Sequence, residues 1–309
     1  MSTLIRKVIS ILLPVVTIII IFELLARTIP TTYSIKHNNL IKKKSQIEIL
    51  VLGSSHSNFG INPKYFDREA FNISNTSQCL YQDYNVLLRY LPECKNIKMV
   101  IIPISYFTLQ SDLALSVEAW RCAYYSFYMG VQGEESPSLF ELRNHSALVL
   151  WDGPIGVINN LVKVNKMGIN EYGYQVPEKT RSKIDDIIND NAGKARVAYH
   201  DKLIDHNLLG ANIVILNKMA NELNKSNIKF VFVTTPVYKT YYQHVSRENY
   251  EIMTNTINLI ASKYSTKHFN YFYDDRFDLN NFLDNDHLNE EGAKKFSIIL
   301  KNEVIEKLL

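Results

Sequence analysis

Short apolar runs alternate with helical patterns along most of the chain. The runs are typical of buried strands, and they lie at residues 47–52, 71–73, 99–104, 228–233 and 269–273. Between them, apolar positions recur with helical spacing at residues 81–91, 209–223, 248–263 and 290–308. Strands that alternate with helices predict an α/β domain of three layers, α/β/α, with a mainly parallel sheet.

One connection between these strands is unusually long. About a hundred residues separate the third run from the fourth, whereas a crossover between parallel strands needs only about a dozen or more. The excess predicts inserted helices and loops at about 107–208. This segment is rich in aromatic side chains, which could line a site, although we expect most of them to pack in the core. They are Trp120, Tyr124, Tyr125, Phe127, Tyr128, Trp151, Tyr172 and Tyr174.

The most apolar part of the chain lies near its N-terminus. Residues 8–25, VISILLPVVTIIIIFELL, contain one charged residue, Glu23. A helix that crosses a membrane needs roughly 20 such residues, so we predict an uncleaved anchor over residues 1–28 and a juxtamembrane connector over residues 29–45. A cleaved signal peptide is the alternative, but the run is longer than a usual signal-peptide core and no clear small-x-small cleavage site follows.

The charges of the chain bear on its partners and on its orientation in a membrane. The 34 basic and 31 acidic residues are spread along the chain and give a net charge of +3, so we expect no nucleic-acid partner. More Lys and Arg residues follow the apolar run than precede it, which by the positive-inside rule would keep the domain in the cytoplasm. The lysines at 42–44 lie well beyond the run and can belong to the folded domain. The orientation therefore depends on the chemistry below.

A serine-rich turn follows the first predicted strand. Ligands of parallel α/β sheets bind at the carboxyl ends of the strands, and here the strand ends at Gly53, followed by Ser54, Ser55 and His56. A serine on such a turn can present both its hydroxyl and its N–H to one pocket, which suits a nucleophile. A plain turn or an anion-binding nest fits the same residues. Because adjacent side chains on a turn usually diverge, we expect His56 to support the site or to contact the substrate rather than to act as its base.

A second motif, DNDHLNEEG, precedes the last predicted helix. Asn289 is a good N-cap residue, which would hold His287 just before a firmly started helix. Asp284 lies one turn earlier, where its carboxylate can orient the imidazole for proton transfer to and from a serine. A solvated acidic loop, or a metal site made by Asp284, Asp286 and His287, remains an alternative for this segment.

Together, the GxSxxxxG motif at 53–60 and the DxxH motif at 284–287 resemble those of the SGNH (GDSL-type) hydrolase superfamily. The resemblance extends over residues 46–309 and implies a flavodoxin-like hydrolase fold. It also implies that Ser55 is the nucleophile, Asp284 the acid and His287 the base. Ser54 stands where the family has its aspartate.

The middle blocks of that family supply donors to the oxyanion, and here they depart from the usual pattern. The second block normally offers a glycine amide, for which Ser77 is the nearest counterpart in this chain. The third block normally offers an asparagine side chain, and Ser105 or Tyr106 stands in its place. The oxyanion set implied by the resemblance is therefore Ser55, Ser77 and Ser105.

The anchor and the altered middle blocks resemble the membrane-anchored branch of these proteins that modifies bacterial surface polymers, such as those that acetylate alginate or serve teichoic-acid alanylation. This resemblance implies a single-pass protein of the cytoplasmic membrane with an extracytoplasmic domain. It implies a serine esterase or O-acetyltransferase that acts on acyl esters, with acetyl expected, of a surface glycan. A membrane-bound O-acyltransferase is a candidate partner, and no cofactor or metal is expected.

Two other classes of function remain open. A membrane-anchored assembly or glycan-binding protein could keep the fold without efficient catalysis, which the altered middle blocks favour. A metal-dependent phosphoesterase could use the acidic cluster near residue 286, but no partner carboxylates follow the first strand.

Overall fold

Five short strands form one parallel sheet in the computed structural model, which describes residues 3–131, 142–162, 168–177 and 184–309. The strands pair in the order β2-β1-β3-β4-β5, which is the order of flavodoxin-like doubly wound sheets. They are β1 (Ile49–Val51), β2 (Ala70–Asn72), β3 (Met99–Pro103), β4 (Lys229–Thr234) and β5 (His268–Asn270). Each overlaps one of the predicted apolar runs, so the predicted α/β class with a parallel sheet is confirmed.

Helices occupy most of the remaining described chain. The α-helices of the described residues are α1 (Thr3–Thr28), α2 (Thr32–Lys43), α3 (Ser55–Gly60), α4 (Leu80–Tyr90), α5 (Arg121–Met129), α6 (Ala147–Leu150), α7 (Gly153–Val162), α8 (Ile184–Ile188), α9 (Asp190–Asp201), α10 (Leu209–Lys225), α11 (Lys239–Tyr242), α12 (Arg247–Lys263), α13 (Glu290–Leu300) and α14 (Glu306–Leu308). Short 3-10 turns lie at Pro63–Tyr65, Thr108–Gln110, Leu142–Asn144, His206–Leu208 and Leu279–Asn281. A π-helix at Lys301–Ile305 separates α13 from α14, so the last predicted helix is not one regular α-helix.

The sheet separates two apolar cores, as the alternation of side chains along a strand requires. Leu50 of β1 packs in the larger core with residues of α4, α10 and α12. Its neighbours Ile49 and Val51 pack in the smaller core against Phe296 and Leu300 of α13. Helices therefore cover both faces of the sheet, and the carboxyl ends of the strands remain available for a site.

Helix α1 is long and apolar enough, by length and composition, to cross a membrane. The qualifying stretch is Ile5–Thr28, and its most apolar window is not buried within the protein. Large apolar side chains are exposed along most of its length. The anchor and its orientation remain predictions at this stage.

Residues 29–45 are not a separate juxtamembrane connector, as the sequence had suggested. Most of them form α2, whose Tyr33 and Leu40 lie in the larger core. Between these two residues Lys36 is fully buried, and its Nζ donates to Asn58 Oδ1 at 2.7 Å and to the carbonyl of Ser74. Burial lowers the pKa of Lys36 well below its usual value. Helix α2 is therefore part of the domain and contacts α3, the helix that begins at Ser55.

The long connection between β3 and β4 contains helices α5 to α10 within its described residues. Of the aromatic side chains named above, Tyr124, Tyr125 and Tyr174 are buried. Phe127, Tyr128 and Trp151 are partly buried against the cores, and Trp120 is exposed. Most of them therefore pack as core residues, as expected.

Candidate active site

The turn after β1 places Ser55 at the carboxyl edge of the sheet. Gly53 has a φ of +103°, and a Cβ at this position would lie 2.7 Å from Ser57 Oγ and 3.0 Å from the Pro103 side chain, so the turn needs glycine. The Gly53 N–H donates to the buried Asp83 carboxylate at 2.8 Å, which holds the turn. Ser55 is the first residue of α3, where the N–H has no acceptor within the helix.

A closed loop before α13 fixes His287. Phe282 and Leu288 form an isolated bridge, and the Leu283 N–H donates to the His287 carbonyl at 2.8 Å. Asn289 caps α13, because its Oδ1 accepts from the Gly292 N–H at 2.9 Å, and this confirms the predicted N-cap. The His287 ring thus has little freedom to move away from its partners.

The structure brings Ser55, His287 and Asp284 together, although Ser55 and His287 are 232 positions apart. His287 Nε2 lies 2.9 Å from Ser55 Oγ. On the other side of the ring, Nδ1 lies 3.0 Å and 3.1 Å from the two carboxylate oxygens of Asp284. A proton on Nδ1 satisfies both contacts and leaves Nε2 free to accept the serine proton, which is the arrangement of a Ser-His-Asp triad.

A second carboxylate, Asp286, lies beside the same imidazole. Its Oδ1 is 3.6 Å from His287 Nδ1, and its side chain is fully buried. Arg196 binds it in a bidentate manner, with Nε 2.7 Å from Oδ1 and Nη2 3.1 Å from Oδ2. His56 Nε2 lies 3.0 Å from Oδ2. Asp286 is therefore a buried charge with several partners rather than part of a solvated acidic loop.

These neighbours set the protonation of the two residues. Burial lowers the pKa of His287, but the charges of Asp286 and Asp284 and the hydrogen bond that Nδ1–H donates to Asp284 outweigh burial, so its pKa is raised above the usual histidine value. Burial raises the pKa of Asp286, but the charges of His287 and Arg196 and the hydrogen bond with His56 hold it well below the usual range. The two carboxylates thus stabilise the imidazolium that forms when His287 takes a proton, and Asp286 itself stays ionised.

His56 does not face the nucleophile. Its Nδ1 lies 2.6 Å from Ser105 Oγ and its Nε2 contacts Asp286, so both ring nitrogens are occupied. Burial lowers its pKa, despite the neighbouring Asp286. This agrees with the expectation that His56 supports the site and is not its base.

The two serines predicted to complete an oxyanion site occupy different positions. Ser77 lines the same cavity as Ser55, and its hydroxyl donates to Glu118. Its φ of +61° lies in the left-handed region that favours glycine, which explains why a serine here matches a glycine position.

Ser105, in contrast, is buried behind His56 and is not among the residues that line the cavity. Its N–H donates to Thr108 Oγ1 at 2.9 Å, and its hydroxyl pairs with His56. Both polar groups are occupied by neighbours, so the prediction of Ser105 as an oxyanion donor is wrong in this structure.

A cavity of about 590 Å³ opens above Ser55. Its walls come from the strand ends, from the insertion and from the loop before α13, and the eight aromatic residues of the insertion named above are not among its lining residues. Charged side chains in the wall are Asp112, Glu118, Arg121, Arg196 and Asp284. Phe59, Phe107, Leu203 and Leu283 contribute apolar surface. The cavity can therefore hold a substrate that is both polar and partly apolar.

A metal site is the alternative interpretation of the side chains around Asp286. His56, Asp286 and His287 offer ligand atoms within 4.8 Å of one another. However, the Arg196 guanidinium occupies both oxygens of Asp286, and Nε2 of His287 faces Ser55 Oγ. A cation added here would meet the positive charge of Arg196, so the donor set suits proton transfer better than metal binding.

Comparisons with known proteins do not identify the chemistry of this site. No family model matches the chain, and no curated protein matches it. One solved structure, from Bacteroides fragilis and described as a "putative acylhydrolase", aligns over 90% of this chain and 96% of that one, with a TM-score of 0.43 and 8% sequence identity. A likeness at this level carries no argument about the chemistry.

Several residues of the site had not been predicted. Arg196, His200 and Glu118 all come from the long insertion, and no motif marks them in the sequence. His200 lines the cavity, and its Nε2 lies 3.8 Å from Asp286. The sequence did draw attention to Asp286, because it is adjacent to His287. However, that position is equally compatible with a metal ligand.

Proposed function

We propose that this protein is a membrane-anchored serine acyl-ester hydrolase or O-acyltransferase that acts on acyl esters, acetyl esters above all, of a cell-surface glycan. The observation that carries the acyl chemistry is the chain of contacts from Ser55 Oγ through His287 to Asp284. These are the residues that resemble the nucleophile, base and acid of SGNH hydrolases. The glycan and the extracytoplasmic orientation are supported by the resemblance to the surface-polymer branch.

In the first half of the proposed reaction, Ser55 becomes acylated. Its hydroxyl gives its proton to His287 Nε2 while Oγ attacks the ester carbonyl carbon, and the carbonyl oxygen becomes an oxyanion. The Asp284 carboxylate accepts the hydrogen bond from the Nδ1–H of His287, and the charges of Asp284 and Asp286 stabilise the imidazolium. The bond from the acyl carbon to the leaving oxygen then breaks, and His287 returns the proton to that oxygen.

In the second half, water or a sugar hydroxyl attacks the acyl-serine. His287 takes the proton of the attacking group, and when the bond to Ser55 Oγ breaks, the same proton returns to Ser55. Water gives hydrolysis and a sugar hydroxyl gives transfer, and both use the same residues. The acceptor that enters the cavity therefore decides between the two activities.

Main-chain N–H groups are the proposed donors to the oxyanion. Ser55 provides the N–H of a first helical turn, which has no acceptor within α3. Ser77 lines the cavity on the other side and has a glycine-like backbone conformation. Such donors lower the barrier because they are already in place where negative charge develops.

Turnover of a small acetyl ester by the full chain in detergent tests the proposal. We expect p-nitrophenyl acetate hydrolysis by the wild type, and a loss of it in Ser55→Ala. The matched control is Ser54→Ala, which removes the neighbouring hydroxyl, a group that caps no helix amide. Equal activity of Ser55→Ala and wild type, or equal losses in both variants, would contradict the role of Ser55. Adding a glycan acceptor then separates transfer from hydrolysis by the products formed.

A second candidate function is a non-catalytic glycan-binding or assembly protein. It is favoured by one observation, namely that the Glu118 carboxylate pairs with Ser77 on the side where an oxyanion would form. In that case neither the wild type nor any variant would turn over an ester, and Ser55→Ala would bind an acetylated glycan as tightly as the wild type.

A further inference from the structure

Helix α7 exposes a wholly uncharged surface. None of the ten residues in its sequence, GPIGVINNLV, carries a charge. Ile155, Ile158 and Val162 are 75%, 49% and 82% exposed. Their spacing of three and four residues places them on one face of the helix. Two isoleucines and a valine side by side on one face of a helix form an apolar patch of the kind that marks an interaction surface.

The opposite side of α7 packs against the end of α1. Val157 of α7 is fully buried in a small apolar cluster with Ala26 and Ile29, which follow the apolar run of α1. Phe22 of α1 and Leu161 of α7 pack against the same cluster. The exposed face of α7 therefore adjoins the exposed apolar surface of α1.

Polar contacts fix this arrangement. Glu23, the one acidic residue of the apolar run, accepts hydrogen bonds from the Ser146 hydroxyl at 2.8 Å and from the N–H groups of Ala147 and Leu148 at 3.1 Å and 2.9 Å. Arg27 also donates to Glu23, at 2.8 Å. Because α6 precedes α7 by two residues, these bonds hold both short helices on α1.

The contacts lie where α1 would leave a membrane. A hydrocarbon core of about 30 Å takes about 20 helical residues at about 1.5 Å each. Counted from Ile5, where the apolar stretch begins, that length ends near Leu24. Phe22 and Ala26, which contact α7 and its cluster, lie on either side of this point.

We propose that α7 lies in the plane of the membrane interface, with Ile155, Ile158 and Val162 against lipid. The inference rests on the membrane anchor of the proposed function. Lipid is the occupant that the structure favours, because the patch continues the apolar surface of α1 and α7 offers no charge to a protein partner. An uncharged apolar face beside a spanning helix is also what a helix at the headgroup and acyl-chain boundary requires.

This placement has a consequence for the active site. Helix α5 runs between the two regions, since Arg121 at its start lines the cavity and Phe127 near its end packs against the Ala26 cluster. The two residues are six positions apart on the helix, which is about 9 Å along its axis. An α7 held in the interface would therefore keep the cavity close to the bilayer and fix its angle to it, so that esters at the membrane surface reach Ser55.

Depth-dependent fluorescence quenching tests the proposal. The full chain is reconstituted in phosphatidylcholine and phosphatidylglycerol vesicles with an environment-sensitive fluorophore on a cysteine introduced by Ile155→Cys. Lipids that carry a nitroxide on the acyl chain serve as quenchers. Ile18→Cys, in the middle of α1, reports whether the anchor is inserted. Leu259→Cys on α12 is the matched control, because Leu259 is 72% exposed and Ile155 is 75% exposed. The parent chain, with its native cysteines Cys79, Cys94 and Cys122, gives the background.

We expect quenching of about twofold at Ile155→Cys and at Ile18→Cys, and none at Leu259→Cys. Quenching at Ile18→Cys without quenching at Ile155→Cys would overturn the inference while leaving the anchor intact. Absence of quenching at both positions would overturn the anchor itself and the inference with it. Disulfide-linked dimers through Ile155→Cys, with no quenching by lipid, would overturn it in favour of a second copy of the chain as the occupant.

Discussion

The two sides of the cavity above Ser55 differ in how their groups are held. On the base side, His287 faces two carboxylates, Asp284 and Asp286, and the second of these is bound by Arg196 and His56. On the oxyanion side, the Ser77 hydroxyl is already paired with Glu118, and Ser105 lies outside the cavity, where its hydroxyl pairs with His56. The base side is thus a network of charges, whereas the oxyanion side depends on the main chain. Side-chain substitutions should therefore be severe on the first side and mild on the second.

The largest effect is expected from His287→Ala. Loss of the base in a serine triad costs up to about a millionfold in rate elsewhere, so ester turnover should fall by about 10⁴-fold or more. His206→Ala, an exposed histidine outside the cavity, serves as the control and should leave turnover unchanged. Comparable activity in the two variants, measured on folded protein of equal thermal stability, would show that the base side does not act as described.

Asp286→Asn should have a smaller effect with a distinct signature. The charge of Asp286 raises the pKa of His287, so removing it should lower that pKa and move the acidic limb of the kcat/KM profile to lower pH. We expect turnover at the optimum to fall by about tenfold to a hundredfold, because the imidazolium loses one of its two carboxylates. The pH profile of ester hydrolysis measures both.

Asp284→Asn is the comparison for this variant and should lower kcat more, since the Asp284 carboxylate accepts the hydrogen bond from the Nδ1–H of His287 and so sets the tautomer. An acidic limb that stays in place in Asp286→Asn, with kcat/KM unchanged, would mean that Asp286 serves only to fold the loop.

Substitutions on the oxyanion side should cost little. Ser77→Gly keeps the main-chain N–H and suits the φ of +61°, so kcat should stay within about threefold of the wild type. Ser105→Ala should lower kcat by less than about tenfold, whereas loss of a true oxyanion donor costs about a hundredfold to a thousandfold. Initial rates of hydrolysis of a small ester measure kcat for both variants. A thousandfold loss in Ser105→Ala would restore Ser105 to the oxyanion site and remove the contrast between the two sides.

The smallest effect concerns the thermal stability of the protein. It comes from Asp83, which accepts a hydrogen bond from Gly53 in the turn before Ser55. Burial raises the pKa of Asp83 from 3.8 to about 7, although hydrogen bonds from Gln78 and Gly53 oppose this. Because the folded-state pKa lies above the unfolded one, Asp83 contributes stability fully below about pH 4 and loses it as the pH rises through 7. The Tm of Asp83→Asn minus the Tm of the wild type should therefore be larger at pH 8 than at pH 5. Thermal unfolding in detergent at these two pH values measures the change, and a Tm difference that is independent of pH would contradict it.

Local patterns explain which parts of the fold could be predicted. The five strands, α4, α10, α12 and the Asn289 cap all follow from apolar periodicity or from one capping residue. Helix α2 could not be recognised as a packed element, because Lys36 lies in the middle of its buried face and the segment looks polar. The break of the last helix at Lys301–Ile305 has no proline or glycine to mark it.

In the site, too, residues marked by a local sequence pattern could be predicted, and residues placed by tertiary packing could not. Ser55 and His287 could be predicted because each follows or precedes a regular element at the edge of the sheet, where their spacing within a motif is informative. Arg196 and Glu118 belong to the insertion, and their positions depend on how about a hundred residues fold over the sheet. The position of Ser105 was predicted from its place after β3, but the direction of its side chain depends on His56, which no local pattern specifies.

The central claim is that Ser55 is a nucleophile activated by His287. Reaction of the full chain with a fluorophosphonate, followed by peptide mass spectrometry, tests it most directly. We predict a covalent adduct on Ser55 in the wild type, much slower labelling in His287→Ala, and none in Ser55→Ala. Labelling that persists in Ser55→Ala, or an adduct that maps to another residue, would contradict the claim.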